Sequence, residues 1–304
     1  MSFPTAVYPV RLLDELRSRL RQRSTPDSRI PKFIFLCGQK PEDQIRTNRD
    51  HIMRVLRGFQ DVRVVLAEEL WNRADVDLLS FEQFMAHISD CVVLFLESYG
   101  TAAELGSFTA VDGLIPKLLV YEDKKYRTAN SFINNGPISK ITTGTEPGVV
   151  IYGNIESVLE SPELWHRLNS FAGRQKKCQV NQDPHHVFYA SYCIEVLDLV
   201  GILGPVHRSS IVALYKHVKG FESFEFDVKR IGPGFAVDFL KECGLLLEDG
   251  RGFISVNRLL VQRNLLLFNL NSMEHDRFRA NFLARRFRYG EGHETIDLLR
   301  RRAD

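Results

Sequence analysis

Between residues 31 and 155 short β-like apolar runs alternate with helical patterns, and beyond residue 185 three helical patterns precede a hairpin signal. The first pattern predicts a parallel sheet with helices on both faces, because parallel neighbours need crossover connections. The second is the order of a winged-helix-like module. The predicted class is therefore α/β, a Rossmann-like or flavodoxin-like parallel-sheet domain followed by a mainly α, winged-helix-like domain. Length agrees, since 304 residues exceed one ordinary core and suit two domains of about 100 to 200 residues.

Residues 1–30 are read as an amphipathic helix and linker. RLLDELRSRLRQR, Arg11 to Arg23, sets Leu12, Leu13, Leu16 and Leu20 at helical spacing, and STPDSRIP then breaks the helix. The α/β domain, residues 31–155, opens on the strand run KFIFLCG, followed by a polar helix from about Gln44 to Leu56. VRVVLAE, a helix from about Asp77 to Ile88, and CVVLFLES come next, the last being the most strand-like run of the chain. A small-residue helix from Ala102 to Gly113 leads to PKLLVYED and then VVIYG. Residues 156–184 read as a connecting segment, helical around Leu159 to Phe171 and polar in GRQKKCQVNQD. In residues 185–304, VFYASYCIEVLDLVGIL is an apolar helix ended by Gly204 and Pro205. Ser209 and Ser210 can cap a second helix, a third lies near Pro233 to Cys243, and GLLLEDGRGFISVN folds back around Asp249 and Gly250, ahead of a basic tail.

Apolar residues at 44% and charged residues at 26% fit a globular chain. A net charge of +2 argues against a polycation that coats nucleic acid unaided. Basicity is local instead, in Arg11, Arg17, Arg19, Arg21 and Arg23 and again in Arg277, Arg279, Arg285, Arg286 and Arg288. Each cluster is read either as a solvated helix face or as a contact to a nucleic-acid-containing partner. Cys37, Cys91, Cys178, Cys193 and Cys243 are widely spaced without a CxxC, which suits a reduced compartment and no zinc. With no signal core and no stretch near the roughly 18 apolar residues of a membrane helix, a cytoplasmic protein without membrane contact is expected. His185 and His186 lack further ligands at metal spacing, so no metal site is expected.

The stretch SDCVVLFLESYGTAAELGSF, Ser89 to Phe108, supplies a strand end, a Gly-Thr turn and a helix start in succession. In an open parallel sheet the ligand sits beyond such carboxyl ends. Gly100 permits a tight turn or close ligand approach, and Thr101 is expected as the helix cap. Glu104 then falls in the first turn, where the helix dipole favours the ionised carboxylate that a nucleophile needs. Thr-x-x-Glu is equally a capping box in which Glu104 bonds back to the Thr101 amide, and spacing alone does not choose. Cys37, Gly38 and Gln39 end the first strand, with amides that suit a phosphate or a plain turn. Glu68 and Glu69 follow the second strand, placed for ribose hydroxyls or for solvent. Asp123 ends the fourth, and Asn134 and Asn135 lie in a loop where turn chemistry is the alternative role.

The order ES-x-GT-x-x-ELG resembles the nucleoside deoxyribosyltransferase family, whose glutamate in an ELG or EIG context attacks the anomeric carbon of a nucleoside. KFIFLCG, LLSFEQFMAHISDCVVLFLES, GTAAELGSF, PKLLVYEDKKY and SFINNGPI more closely resemble the ribosyltransferase-like effectors encoded beside retron reverse transcriptases, in which a winged-helix-like domain follows. The resemblance covers most of residues 31–140 and rests on layout beyond them. It implies Glu104 as the key carboxylate and Glu97 as proton donor or base. It also suggests a site role for Asn134, which joins Cys37, Gly38, Gln39, Glu68, Ser98, Gly100, Thr101 and Asp123, read from their places at strand ends and the helix start, as candidate substrate contacts. At Ser98 the chain departs from the deoxyribosyltransferases, which carry an aspartate six residues before the nucleophile, and Glu97 stands one place away.

The resemblance further implies an anti-phage toxin that cleaves the nicotinamide–ribose bond of NAD+, or of a related nucleotide, as substrate rather than cofactor. The nicotinamide ring is already cationic before it leaves, so less acid assistance is needed and a carboxylate can meet the oxocarbenium-like ribose. Restraint would come from the reverse transcriptase and its RNA-linked msDNA, in a homo-oligomer or a larger assembly with that partner. The alternatives are a nucleoside deoxyribosyltransferase or nucleotide N-glycosidase, and a non-catalytic nucleotide-sensing DNA-binding regulator.

Overall fold

The computed structural model describes residues 7–20, 25–27, 31–39, 47–71, 77–172, 176–178, 189–220, 233–257, 268 and 270–288. Two compact units emerge, Ile30–Lys176 and a second built from Met1–Arg29 with Lys177–Asp304.

In the first unit the apolar runs become five strands, β1 (Lys32–Cys37), β2 (Val62–Val65), β3 (Cys91–Phe95), β4 (Leu118–Asp123) and β5 (Val149–Gly153). All pair in parallel in the order β2-β1-β3-β4-β5. This is the flavodoxin-like order within the Rossmann-like class, with its switch point between β1 and β3. The crossovers carry α1 (Asn48–Leu56), the short α2 (Ala67–Leu70), α3 (Leu78–Ile88), α4 (Tyr99–Thr109) and α5 (Ser139–Thr143), and α6 (Pro162–Ala172) follows the last strand.

Strand alternation splits the side chains between two faces. Ile34, Leu36, Val93, Phe95, Leu119, Tyr121 and Ile151 pack with Ile52 and Leu56 of α1 and Leu164 and Leu168 of α6. Phe35 lies on the opposite face and meets Phe108 of α4 edge-on at 6.0 Å. Cys37 shares the parity of Phe35, and Glu122 that of Val120, so both project away from the α1 and α6 layer. Two lysines finish helices: half-buried Lys117 donates to the carbonyls of His87 at 2.7 Å and Ser89 at 2.9 Å at the end of α3, and buried Lys32 donates to those of Phe171 and Ala172 at the end of α6. Cations at these carbonyl ends satisfy orphan acceptors.

Several expected boundaries move. The first polar helix starts at Asn48, capped by Thr47, and residues 40–46 lie outside the described residues. The helix read as Ala102 to Gly113 runs from Tyr99 to Thr109 and is followed by a 3-10 turn, Asp112–Lys117. The helix placed at Leu159 to Phe171 is Pro162–Ala172, and its Leu164 and Leu168 belong to the core of the parallel-sheet unit.

The second unit contains the helix Val10–Arg17, then α7 (Tyr189–Leu203), β6 (Val206–His207), α8 (Arg208–Lys219), α9 (Pro233–Glu242), β7 (Leu246–Glu248), β8 (Phe253–Val256) and α10 (Ser272–Arg288). β6, β8 and β7 form an antiparallel sheet in that order. Arg208 holds α8 to α9 by donating two hydrogen bonds to the Asp238 carboxylate, at 2.8 and 2.5 Å. Lys219 and Glu195 form an ion pair at 3.1 Å with both side chains 3% exposed, and Tyr215 donates to the same carboxylate. The β7–β8 turn is closed by Asp249, whose Oδ1 accepts the amides of Arg251 and Phe253. The left-handed residue of that turn is Gly252, φ +82°. Among the described residues no helix is long and apolar enough to cross a membrane.

Candidate active site

At the switch point the chain leaves β1 toward one edge of the sheet and β3 toward the other, which opens a crevice at their carboxyl ends. Glu97, two residues past β3, spans it. Its Oε1 accepts the Gln39 amide at 3.0 Å and its Oε2 accepts Asn48 Nδ2 at 2.9 Å, tying both strand ends to the first turn of α1. Asn48 also donates to the Ile155 carbonyl at 2.7 Å. Gly38 is in close quarters: a Cβ there would stand 3.0 Å from Arg49 Cβ and 3.4 Å from Glu97 Oε1.

A cleft of about 690 Å³ adjoins this crevice, with Glu97, Ser98, Tyr99, Glu122, Asp123 and Tyr126 in its walls. That size lies within the roughly 300–1,000 Å³ range of small-molecule sites. Tyr99 is 98% exposed and Tyr126 50%, so their rings stand open to a planar ligand. Asp123 accepts the Lys125 amide at 3.0 Å and pairs with Lys125 Nζ at 3.1 Å, which holds its carboxyl below the usual carboxylate range. Asn134 does not line the cleft. Its Nδ2 donates to the carbonyls of Tyr126 at 2.6 Å and Ala129 at 2.8 Å, so it shapes the loop that carries Tyr126.

The start of α4 differs from the expectation. Ser98, not Thr101, is the cap: the Thr101 amide donates to Ser98 Oγ at 3.2 Å and the Ser98 amide to Thr101 Oγ1 at 3.1 Å. Gly100 lies inside the first turn, and a Cβ there would meet only Ser98 Oγ, at 3.7 Å, so neither a tight turn nor close packing requires glycine. Glu104 therefore lies in the second turn and takes no part in the capping box, which removes the structural role that Thr-x-x-Glu spacing allowed.

Glu104 lies beside the Cys37 thiol, and its Oε2 is buried without a hydrogen-bond partner. It is absent from the walls of the cleft, although Ala102, two residues earlier, lines it. Burial first, and then the charge of Glu82, raise the Glu104 carboxyl to about 8, against the lowering influence of Cys37 and Arg49. The expected ionisation by the helix dipole is thus outweighed, because desolvation of a carboxylate exceeds a dipole effect of about 0.3–1 kcal/mol. The same surroundings push the Cys37 thiol well up, burial being the larger cause and Glu104 the next. Glu82 itself is raised to about 7 by burial and by Glu68. The cation of the group is Arg49, buried on α1 and paired with Glu68 at 2.7 Å. Glu69 pairs with Arg57 at 3.6 Å instead.

Glu82 and Arg49 were not singled out by sequence. The signal for Glu82 was present in LLSFEQFMAHI, where an acidic residue sits beside the Phe81, Met85 and Ile88 stripe of α3.

In the second unit the basic residues of α10 are divided. Arg286 is buried, with its guanidinium 4.9 Å from the Phe253 ring centroid and 5.8 Å from that of Tyr8. Arg277 pairs with Glu15 at 2.6 Å and Arg279 donates to the Gly201 carbonyl. Arg285 is half-buried and Arg288 exposed. In the N-terminal group Arg19 pairs with Glu274 at 3.2 Å, while Arg21, Arg23, His185 and His186 lie outside the described residues. No group of three or more potential metal ligands occurs among the described residues.

Comparison with known proteins matches residues 45–248, more than half of the chain, to a family described as "STM3845 retron effector protein". The Escherichia coli protein named "Retron Ec86 putative ribosyltransferase/DNA-binding protein" is 28% identical over 186 residues, covering 55% of this chain and 60% of that relative. Its retron Ec73 counterpart from Escherichia coli, named in the same way, is 24% identical over 241 residues, covering 72% of this chain and 73% of the relative.

Proposed function

Because this chain belongs to the STM3845 retron effector family, we propose that it is an anti-phage effector whose parallel-sheet unit is an N-glycosidase, cleaving the nicotinamide–ribose bond of NAD+ or of a related nucleotide. The observation that carries this reading is Glu104. Its helix is capped without it, yet the side chain is held beside β1 with one buried oxygen unpartnered. A buried carboxyl with no structural task is unfavourable unless it serves a ligand. The ribosyltransferase wording in the names of both relatives supports the same reaction class.

In the proposed reaction the bond between C1′ and the ring nitrogen breaks, and its electron pair stays with the base, which leaves neutral. Ionised Glu104 stabilises or captures the cationic C1′. Water then supplies the oxygen, and its proton passes to Glu97, the carboxylate anchored on Gln39 and Asn48. A cationic ring near Glu104 favours its ionised form.

The element order helix, strand, helix, helix, hairpin supports a winged-helix-like module in the second unit. We assign it to docking on the reverse transcriptase and its msDNA, which restrain the toxin. The test is to express the full chain and Glu104→Gln with and without the neighbouring reverse transcriptase and its DNA, following growth and cellular NAD+. The native chain alone should arrest growth and deplete NAD+, and the complete system and Glu104→Gln should do neither. Constant NAD+ after the partner is disrupted would refute both substrate and restraint.

A further inference from the structure

We propose that Glu122 reads the amide or amino edge of a planar heteroaromatic base held in the cleft. This rests on the N-glycosidase reading and deepens it by placing a base of the nucleotide substrate in the cleft that Glu97 lines. Glu122 lines the cleft yet is only 2% exposed, and its Oε2 is buried without a hydrogen-bond partner. Nearby cations are committed elsewhere: Lys125 pairs with Asp123, and Arg127 lies over the Tyr152 ring at 5.1 Å. A buried carboxyl without a partner calls for a ligand that completes it.

Burial, and next Asp123, raise the Glu122 carboxyl above its ordinary value. The unpartnered Oε2 is an acceptor, so it calls for an N–H donor on the ligand. That donor is supplied by the NH2 of a carboxamide, or by the exocyclic amino group of an aminopyrimidine edge. Tyr99 and Tyr126, exposed on the same cleft, offer π-faces to the ring that bears the edge. Nicotinamide carries the first kind of edge and adenine the second, and NAD+ contains both.

The test is calorimetric titration of the full chain carrying Glu104→Gln with NAD+, with its nicotinic acid counterpart and with its hypoxanthine counterpart, products being checked by chromatography. One altered dinucleotide should bind roughly tenfold more weakly or worse. Loss with the nicotinic acid form identifies the nicotinamide edge, and loss with the hypoxanthine form the adenine edge. Adding Glu122→Gln, whose amide keeps an acceptor oxygen, should weaken binding less than adding Glu122→Leu, which should lose roughly tenfold. Equal binding of all three dinucleotides overturns the proposal, and so does undiminished binding by a folded Glu122→Leu protein. Failure of NAD+, adenosine and nicotinamide alike to bind overturns it too. Base release by the Glu104→Gln chain would instead refute the role of Glu104 and leave the edge comparison standing.

Discussion

Ser98 and Thr101 cap the Tyr99–Thr109 helix on each other, the Thr101 amide bonding Ser98 Oγ at 3.2 Å and the Ser98 amide bonding Thr101 Oγ1 at 3.1 Å. Glu104, one turn further on, is left out of the cap, and this separates residues that stabilise from the residue assigned to chemistry. Ser98→Ala should cost about 1 kcal/mol and lower the melting temperature by a few degrees. Glu104→Gln should melt no earlier than the native chain, since it removes a buried ionisable group. Thermal melts of both variants check the pair.

Stability should fall as pH rises from about 4.5 toward 8. Glu104 is raised from 4.5 to about 8 and Glu82 from 4.5 to about 7, so between those values the folded chain holds protons that the unfolded chain has released. The stabilisation is complete below the unfolded value and lost as pH climbs through the folded ones. Glu104→Gln should flatten the upper part of the dependence and Glu82→Gln the lower. Urea midpoints across that range measure it.

Gly38→Ala should cost about 1–3 kcal/mol, because its Cβ would stand 3.0 Å from Arg49 Cβ inside packed structure. It should also disturb the Glu97 bond to the Gln39 amide and reduce turnover more than the stability loss explains. Turnover compared well below the melting temperature separates the two effects.

On the basic helix Ser272–Arg288, Arg288→Ala should leave folding intact and lower the salt dependence of binding to a nucleic-acid-containing partner by about 0.9 in log-log slope if it contacts a duplex phosphate. Arg286→Ala should destabilise the second unit by about 1–3 kcal/mol, because the buried guanidinium lies against Phe253 and Tyr8. Binding isotherms over a salt series, beside melts, distinguish them.

The parallel sheet was legible because Phe33 to Cys37, Cys91 to Phe95 and Leu118 to Tyr121 are unbroken apolar runs, as strands covered on both faces must be. The cap was misread because Ser98-x-x-Thr101 and Thr101-x-x-Glu104 overlap, and only the path of the chain out of β3 decides which one closes. Glu82 and Glu122 were missed for a shared reason: an acidic letter reads as surface until its neighbours in space are known. In PKLLVYED the alternation Leu118, Val120, Glu122 already put that carboxyl on a buried face. The state of Glu104 depended on Glu82, which reaches it from another helix and is invisible to local spacing.

Release of base by the purified full chain and by Glu104→Gln, followed by chromatography over a panel headed by NAD+, tests the central claim most directly. The native chain should free nicotinamide at a rate that rises with pH through about 8, as Glu104 ionises, while Glu104→Gln should be slower by several powers of ten at unchanged melting temperature. A Glu104→Gln protein that turns over at the native rate, or a native chain that frees no base from any nucleotide, would contradict the account.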